Sequence, residues 1–215
     1  MSRDSSKLPR GRHKLPRDTV LANQRQRLLT ATAGAVAEHG YPTFSVRHVL
    51  ERAGVSRTSF YEQFDDKHEC VIVAYDAAFE RLTSAIFDAC ASSPDWPAGV
   101  AAAVGAALDF AAESPEQARL LVISHAAVAD PRLSRRALAA QDQLVGLLRA
   151  GRERYGLGRS PLRLTEQALV GGAMSVVGAQ LLADRVDPQV KPELVQLVLT
   201  PYLGAEEAVR VALAA

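Results

Sequence analysis

The sequence predicts an all-α protein, and three observations support that prediction. Hydrophobic residues make up 48% of the 215-residue chain, many of them alanine, whereas aromatic residues make up 6%. Alanine is the best helix former because it loses no side-chain entropy in a helix. No stretch alternates apolar and polar residues as a half-buried strand does. Proline stands at or near the first turn of five predicted helices, where its missing N–H is not needed.

The first helix is predicted over residues 18–39. Residues 1–17 before it contain proline and glycine, lack apolar periodicity and are expected to form a disordered arm. Asp18 is the expected N-cap, and Gly40 suits the left-handed conformation that ends many helices. Residues spaced three and four apart predict its buried side: Leu28, Leu29, Thr32, Ala35, Val36 and His39.

Two short helices follow, separated by a tight turn at residues 53–55 that contains Gly54. Ser45 is the expected cap of the first, over residues 46–52, and Ser56 the expected cap of the second. Phe60 and Phe64 are four residues apart, so both should project from the same side of the second helix into the core.

A longer set of helices is predicted from Asp66 to the end of the chain. Asp66 and Glu69 have the spacing of a capping box, and the helix that they open should reach about Cys90. The remaining helices are predicted over residues 97–112, 115–127, 131–155, 161–183 and 188–199, with a last one from Ala205.

Charge is distributed unevenly along the chain. Residues 1–69 hold 12 Lys and Arg against 8 Asp and Glu, whereas residues 70–215 hold 13 against 16. A basic front with an acidic remainder favours contact between the front and a polyanion. Six basic residues of the arm face a single acidic one, Asp4: Arg3, Lys7, Arg10, Arg12, Lys14 and Arg17. Either insertion of this arm into a DNA minor groove or a solubilising role is compatible with that pattern.

Two short helices joined by a glycine turn form a helix-turn-helix, whose second helix can enter the DNA major groove. Arg57, Thr58 and Ser59 occupy the first turn of that helix. Arginine matches the two acceptors on a guanine edge, and the hydroxyl residues can bind bases or phosphates. Lys67 lies at a helix start, where free N–H groups and an ammonium suit a phosphate.

The segment SVRHVLERAGVSRTSFYEQFDDKHE resembles the DNA-binding signature of the TetR family of bacterial transcriptional regulators, over roughly residues 25–73. The matching elements are Gly40-Tyr41, Ser45-Val46-Arg47, Ala53-Gly54-Val55-Ser56, Phe60-Tyr61, Phe64 and Lys67. The resemblance implies an all-helical homodimer in which residues 18–65 bind a palindromic operator. It also implies that residues 66–215 form a larger domain for effector binding and dimerisation.

By position, the resemblance implies eight DNA contacts: Ser45, Arg47, Arg57, Thr58, Ser59, Tyr61, Gln63 and Lys67. The chain departs from the family pattern at Leu50, where a small alanine is favoured, and at Val36, where phenylalanine is favoured. Glu62 and Asp65 add negative charge near the expected phosphate side.

The C-terminal domain carries less specific patterns. An apolar wall with few polar groups is typical of small-molecule sites, and the candidate lining is Phe87, Trp96, Phe110, Leu120, His125 and Met174. Gly171, Ser175 and Gly178 lie along one strip of a predicted helix, where small residues permit close helix packing. The family resemblance favours a dimer interface for this strip over packing inside one chain.

Several functions find no support in the sequence. It contains no acid–base pair, nucleophile motif, phosphate loop or metal-ligand cluster, so neither an enzyme nor a cofactor is expected. Cys70 and Cys90 lack metal or disulfide spacing, and both are expected to be buried, unreactive thiols. No signal peptide or membrane-spanning run is present, so a cytoplasmic protein is expected.

These observations favour a homodimeric, ligand-responsive regulator, and a repressor rather than an activator. Two alternatives stay open at this stage. One is a DNA-binding regulator without a functional effector pocket. The other is a helical enzyme or carrier that uses the C-terminal pocket, against which sequence-specific operator binding would decide.

Overall fold

A computed structural model describes residues 16–123, 130–157 and 164–214. Within these ranges the chain forms ten α-helices and no strand, so the predicted all-α class is confirmed. The helices are α1 Arg17–His39, α2 Val46–Ala53, α3 Arg57–Tyr61, α4 Lys67–Ala91, α5 Trp96–Glu113, α6 Pro115–Ile123, α7 Pro131–Arg154, α8 Thr165–Leu182, α9 Val190–Leu203 and α10 Ala205–Ala214.

Local side-chain and backbone chemistry sets the ends of the first three helices. Ser45 accepts a hydrogen bond from the His48 N–H at 3.4 Å, and Ser56 accepts one from the Ser59 N–H at 3.0 Å. Gly40 and Gly54 follow α1 and α2 with φ angles of +72° and +60°, which strain any residue with a Cβ. The two serine caps and the stop at Gly54 are confirmed. Gly40 also ends its helix at a positive φ, but its ψ of 153° lies outside the left-handed helical region that was predicted.

The predicted Asp18 cap of α1 is wrong. The residue that precedes α1 is Pro16, with no side-chain capping bond, and Asp18 is the second residue of the helix. Proline supplies an extended backbone just before the helix, so the helix can begin without a capping side chain. Asp18 still contributes there, because a carboxylate in the first turn interacts favourably with the positive end of the helix dipole.

The residues cluster into two compact units, and the division falls inside α4, between Tyr75 and Asp76. In the first unit, the core contains Phe44, Phe60 and Phe64, each at most 2% exposed. Five of the six residues predicted for the buried side of α1 join them, each at most 8% exposed: Leu28, Leu29, Thr32, Ala35 and Val36. The predicted burial of His39 is wrong, because this residue lies in the last turn of α1 and is only half-buried. Arg27 of α1 donates hydrogen bonds to the carbonyl oxygens of Ala53 and Gly54. The helix-turn-helix turn is therefore bonded to α1 through its backbone.

The first turn of α4 confirms the predicted cap. Asp66 accepts a hydrogen bond from the Glu69 N–H at 2.7 Å, and Glu69 accepts one from the Asp65 N–H at 2.6 Å. The return bond of Glu69 reaches the residue before the cap rather than the cap itself. Both bonds satisfy N–H groups that a helix start leaves without an intrahelical partner.

In the second unit, α5 packs with α9 and α10 around a core that includes Val195, Leu199 and Ala208, each fully buried. Helices α6 and α8 meet closely, because a Cβ at Gly178 would clash with the Val122 side chain. Arg119 of α6 donates to the Leu181 carbonyl at 2.8 Å and thereby caps the last turn of α8.

A buried ion pair joins α7 and α8. Arg152 is 4% exposed and Glu166 is 2% exposed, and their Nε and Oε1 atoms are 3.3 Å apart. Asp76 forms a second ion pair in this unit, at 2.9 Å from Arg136, but it is much more exposed. Burial raises the pKa of Asp76, and the neighbouring Arg136 partly opposes that rise.

None of the helices in the described ranges combines the length and the apolar character that a membrane span requires.

Candidate nucleic-acid interface

Helix α3 presents an exposed polar face on one side of a buried anchor. Phe60 is fully buried and contacts Phe64, with ring centroids 5.5 Å apart. Arg57, Thr58 and Tyr61 point the other way and are exposed. The structure therefore brings the predicted first-turn residues together on an accessible surface and fixes that surface from behind with two phenylalanine rings.

Arg57 and Tyr61 contact each other on this face. The Arg57 guanidinium lies 5.5 Å from the Tyr61 ring centroid, and its Nη2 is 3.4 Å from the Tyr61 hydroxyl. Such a cation–π contact at an exposed site contributes about 0.5–1 kcal/mol. The contact restricts Arg57 to fewer rotamers, so less side-chain entropy is lost when its guanidinium binds an acceptor.

The two serines predicted to touch DNA have structural roles as well. Ser45 caps α2, and Ser59 is half-buried with its hydroxyl 2.9 Å from the hydroxyl of Ser56. A serine hydroxyl has one donor and two acceptor sites, so each can hold its internal bond and still meet a phosphate oxygen.

Arg47 and Lys67 occupy different surroundings. Arg47 is exposed and pairs with Glu51 one helical turn later, at 3.4 Å. Lys67 is half-buried: its Nζ donates to the Phe44 carbonyl at 3.0 Å and lies 4.6 Å from the Phe44 ring centroid. The ammonium keeps donors for a phosphate, because it has three N–H groups and this contact uses one.

Gln63 lies in the turn after α3, beside α1. Its backbone carbonyl is 3.5 Å from Nη1 of Arg25, and its own Nε2 is buried without a hydrogen-bond partner. No pattern in the sequence indicates a role for Arg25. Its contact with Gln63 spans 38 residues of chain, so no local pattern could have indicated it.

The residues proposed to line an effector pocket do not form a single small cluster. Phe110 and Leu120 are buried, Met174 is half-buried, and Phe87 is 55% exposed. Trp96 begins α5, whereas Phe110 lies fourteen residues later on the same helix, which corresponds to roughly 21 Å along its axis. A ligand that contacts both would have to be elongated.

His125 lies outside the described residues, as do the arm residues up to position 15.

Trp96 already has aromatic neighbours within the second unit. Its ring lies 5.4 Å from that of Tyr202 and 6.0 Å from that of Tyr155. A Cβ at Gly151 would clash with the indole, so that glycine allows α7 to approach the ring.

The small-residue strip of α8 faces more than one direction. Gly178 is buried against Val122 of α6, and a Cβ at Gly171 would lie 3.3 Å from the Gln141 side chain of α7. Ser175 is exposed. Packing inside the chain therefore already uses the small size of Gly178, whereas Ser175 leaves a surface position that a second chain could cover.

The two cysteines are shielded thiols. Cys70 is fully buried, with its Sγ 3.1 Å from the Thr32 hydroxyl, and Cys90 is half-buried and donates to the Gly99 carbonyl at 3.4 Å. Burial raises the pKa of Cys70 from 9.0 to about 11, although the Thr32 contact opposes the rise. Burial also raises the pKa of Cys90.

We expect a maleimide to modify Cys70 at least ~100-fold more slowly than a free thiol at neutral pH, because a two-unit rise in pKa lowers the thiolate fraction by about that factor. Cys90 serves as an internal control and should react first. A time course read by peptide mass spectrometry measures both rates. Faster modification of Cys70 than of Cys90 would contradict the shielding described here.

The raised pKa of Cys70 also has a defined effect on stability. The folded state holds this proton more tightly than the unfolded chain does, since 9.0 is the ordinary value and the folded value is about 11. The stabilising contribution is complete below pH 9 and is lost as the pH rises through 11.

A helix-turn-helix with an exposed basic face and a rigid aromatic backing defines a DNA-binding protein. In sequence, residues 28–74 match the family described as bacterial regulatory proteins, tetR family. The resemblance found in the sequence is therefore confirmed for this N-terminal segment, which is similar to the DNA-binding domain of the tetR family. Within the described residues no group of three or more His, Cys, Asp and Glu side chains could hold a metal ion.

One curated relative is the HTH-type transcriptional activator FasR of Mycolicibacterium smegmatis. It is 28% identical over 122 residues, which cover 57% of this chain and 53% of FasR. The match therefore spans about half the length of that relative.

Two solved structures show the same fold. A TetR-like transcriptional regulator from Rhodococcus sp. RHA1 has a TM-score of 0.70 at 17% identity, covering 90% of this chain and 99% of that one. The regulator FadR from Bacillus subtilis, solved in complex with stearoyl-CoA, has a TM-score of 0.68 at 17% identity, covering 83% and 98%. The family and these structural neighbours are transcriptional regulators.

Proposed function

We propose that the protein is a ligand-responsive repressor that binds an inverted-repeat operator as a homodimer. The observation that carries the proposal is the exposed face of α3, where Arg57, Thr58 and Tyr61 stand clear of the core that Phe60 anchors. The geometry is that of a recognition helix: polar side chains at the first turn can reach base edges, while the buried side fixes the angle of entry.

In this proposal, Arg57 reads a base and the other polar groups position the protein. Its guanidinium can donate two parallel hydrogen bonds to the O6 and N7 atoms of guanine. Thr58, Ser59 and Tyr61 surround it, and Ser45, Arg47, Gln63 and Lys67 bind the sugar–phosphate backbone on either side. Backbone contacts set the register of the helix and carry no sequence information directly.

Arg57→Ala should cost about 1–3 kcal/mol on the operator and relax the preference at one base pair per half-site. The reason is that alanine removes the bidentate donor while leaving the phosphate contacts in place. Operator titrations with each single base-pair substitution measure the effect. Arg185→Ala is the matched control, because Arg185 is 72% exposed in the second unit.

The operator itself can be found by selecting bound duplexes from a randomised pool. Two recognition helices related by a two-fold axis should select an inverted repeat with half-sites about 34 Å apart, one helical turn. Sedimentation of the complex should then give an even number of chains per operator. Selection of a single, non-repeated site bound by one chain would refute the dimeric arrangement, and equal affinity for all duplexes would refute sequence-specific regulation.

We propose an effector that is elongated and mainly apolar. The separation of Trp96 and Phe110 on α5 supports this, since a compact molecule cannot contact both rings. A structural neighbour that was solved with stearoyl-CoA supports the same class of ligand. Thermal-shift measurements with a series of acyl chains of increasing length test the proposal, and no dependence on chain length would contradict it.

The direction of regulation follows from what the effector does to DNA affinity. A repressor released by its effector must bind that ligand better in the arrangement that does not bind DNA, and linkage makes the two effects equal in size. The sequence relative is named an activator. Expression from a reporter that carries the operator, compared with and without the protein, distinguishes the two directions.

A further inference from the structure

A groove of about 400 Å³ lies at the end of the recognition helix, between α1 and the turn that follows α3. It is lined by Leu21, Ala22, Arg25, Glu62 and Gln63, all in the first unit. Glu62 and Gln63 follow Tyr61 directly in the chain, so the groove adjoins the exposed face of α3.

A half-buried guanidinium and a buried side-chain amide border this groove. Nε2 of Gln63 is buried and has no partner, although a buried amide N–H is unfavourable when it is left without an acceptor. The Arg25 guanidinium lies 4.7 Å from the Phe64 ring centroid, and its Nη1 is 3.5 Å from the Gln63 carbonyl. A guanidinium has five N–H donors, and this contact occupies one of them.

We propose that this groove binds one backbone phosphate of the operator, with Arg25 as its first donor. The Gln63 amide, whose Nε2 is buried in the free protein, turns outward to become the second donor. The inference rests on the proposed function and adds Arg25 as a DNA-positioning residue. A phosphate supplies the acceptor that Gln63 lacks, and its oxygens fit the planar fork of arginine. The contact with the Phe64 ring positions the Arg25 guanidinium before DNA binds, so less side-chain entropy is lost on binding.

Glu62 weakens phosphate binding in the groove. Its carboxylate is exposed at the rim, where it repels a phosphate but can turn toward solvent. The groove should therefore bind phosphate more weakly than its two donors alone would allow. Glu62→Gln should tighten operator binding and make the salt dependence steeper.

The first test compares Arg25→Met with the wild-type protein on the selected operator and on an unrelated duplex across salt concentrations. Methionine keeps an apolar stem against Phe64 and removes the charge. The slope of log affinity against log salt should fall by about one unit, and affinity should fall by the same factor on both duplexes. Arg25→Lys should restore most of the slope, and Arg185→Met is the exposed control that should leave it unchanged.

The second test locates the phosphate. Each operator phosphate is replaced in turn by an uncharged methylphosphonate. Wild-type protein should lose affinity at one phosphate per half-site where Arg25→Met shows no further loss. Equal losses for both proteins at every phosphate would overturn the proposal. Thermal melting checks that Arg25→Met folds. If it does not, Gln63→Leu gives the same comparison from the other side of the groove, whereas Glu62→Gln should increase the loss at that phosphate.

A third arm separates DNA from a free anion. Inorganic phosphate should compete with the operator no better in wild type than in Arg25→Met, since a single isolated phosphate lacks the duplex that positions it. Strong competition that Arg25→Met removes would identify a free-anion site and overturn the DNA assignment. If wild-type protein binds no duplex selectively, the proposed function fails as well; if it binds an operator and Arg25→Met keeps the full slope, only the groove proposal fails.

Discussion

Glu166→Gln is expected to lower the free energy of unfolding by about 3 kcal/mol, because it removes the buried carboxylate beside the Arg152 guanidinium. The remaining counter-charge is Glu153, 3.3 Å from Arg152 Nη2, whose side chain is 61% exposed and therefore largely screened by solvent. Glutamine preserves the size and shape of the side chain, so the loss measures charge rather than packing. Both partners are at most 4% exposed, and Nη1 of Arg152 has no hydrogen-bond partner. A guanidinium that is 4% exposed is poorly solvated, so an unbalanced charge there is unfavourable.

The double variant Arg152→Met/Glu166→Leu is the control for this effect. It removes both charges, and replacement of a buried ion pair by apolar residues of similar size is often neutral or stabilising by about 1–4 kcal/mol. Urea unfolding, followed by circular dichroism, measures both proteins. Surface substitutions usually change the free energy of unfolding by no more than about 0.5 kcal/mol. If Glu166→Gln changes it by no more than that, the ion pair does not lie in a water-free interior.

Phe60→Ala is the second large effect, with an expected loss of about 3–5 kcal/mol in the stability of the DNA-binding unit. Phe60 is fully buried, so its removal leaves a cavity beneath α3. The recognition helix has five residues and is too short to persist without that anchor. Operator binding should therefore be lost together with the fold of this unit.

Tyr61→Ala provides the matched comparison, since the neighbouring side chain is 47% exposed. Its stability should change by no more than about 1 kcal/mol, the cation–π contact with Arg57 being the main loss. Operator affinity should fall while the protein stays folded. Unfolding curves and operator titrations of the two variants separate the buried role from the exposed one; comparable destabilisation by both would contradict the division of the helix into two faces.

The sequence was sufficient for features that depend on neighbouring residues. The ends of α2 and α3 could be predicted because Ser45, Gly54 and Ser56 act within three or four residues of their own positions. The same local reasoning predicted a wrong cap at Asp18, because aspartate is favourable both as an N-cap and inside the first turn. The division of α3 into a buried and an exposed face followed from the spacing of Phe60 and Phe64.

Contacts between distant segments could not be predicted in this way. The small size of Gly178 indicates a close approach, but it does not reveal that the neighbour is Val122, 56 residues earlier. The place of Lys67 at a helix start predicts a phosphate contact. Its bond to the Phe44 carbonyl could not be predicted, because it depends on how the loop after α1 folds back. Nothing in the sequence distinguishes Arg152 and Glu166 from ordinary surface charges, so their burial as a pair could not be predicted.

The bonds from Arg27 to the Ala53 and Gly54 carbonyls have a consequence for how this protein can change its target. These acceptors are backbone atoms, so the orientation of the reading helix depends little on which side chains the turn and the helix carry. Under the proposed function, substitutions at Arg57 or Thr58 alter the preferred base pairs while the scaffold remains intact. New operators thus become accessible through single amino-acid replacements, and descendants of a duplicated gene could acquire separate regulons without passing through an unfolded ancestor.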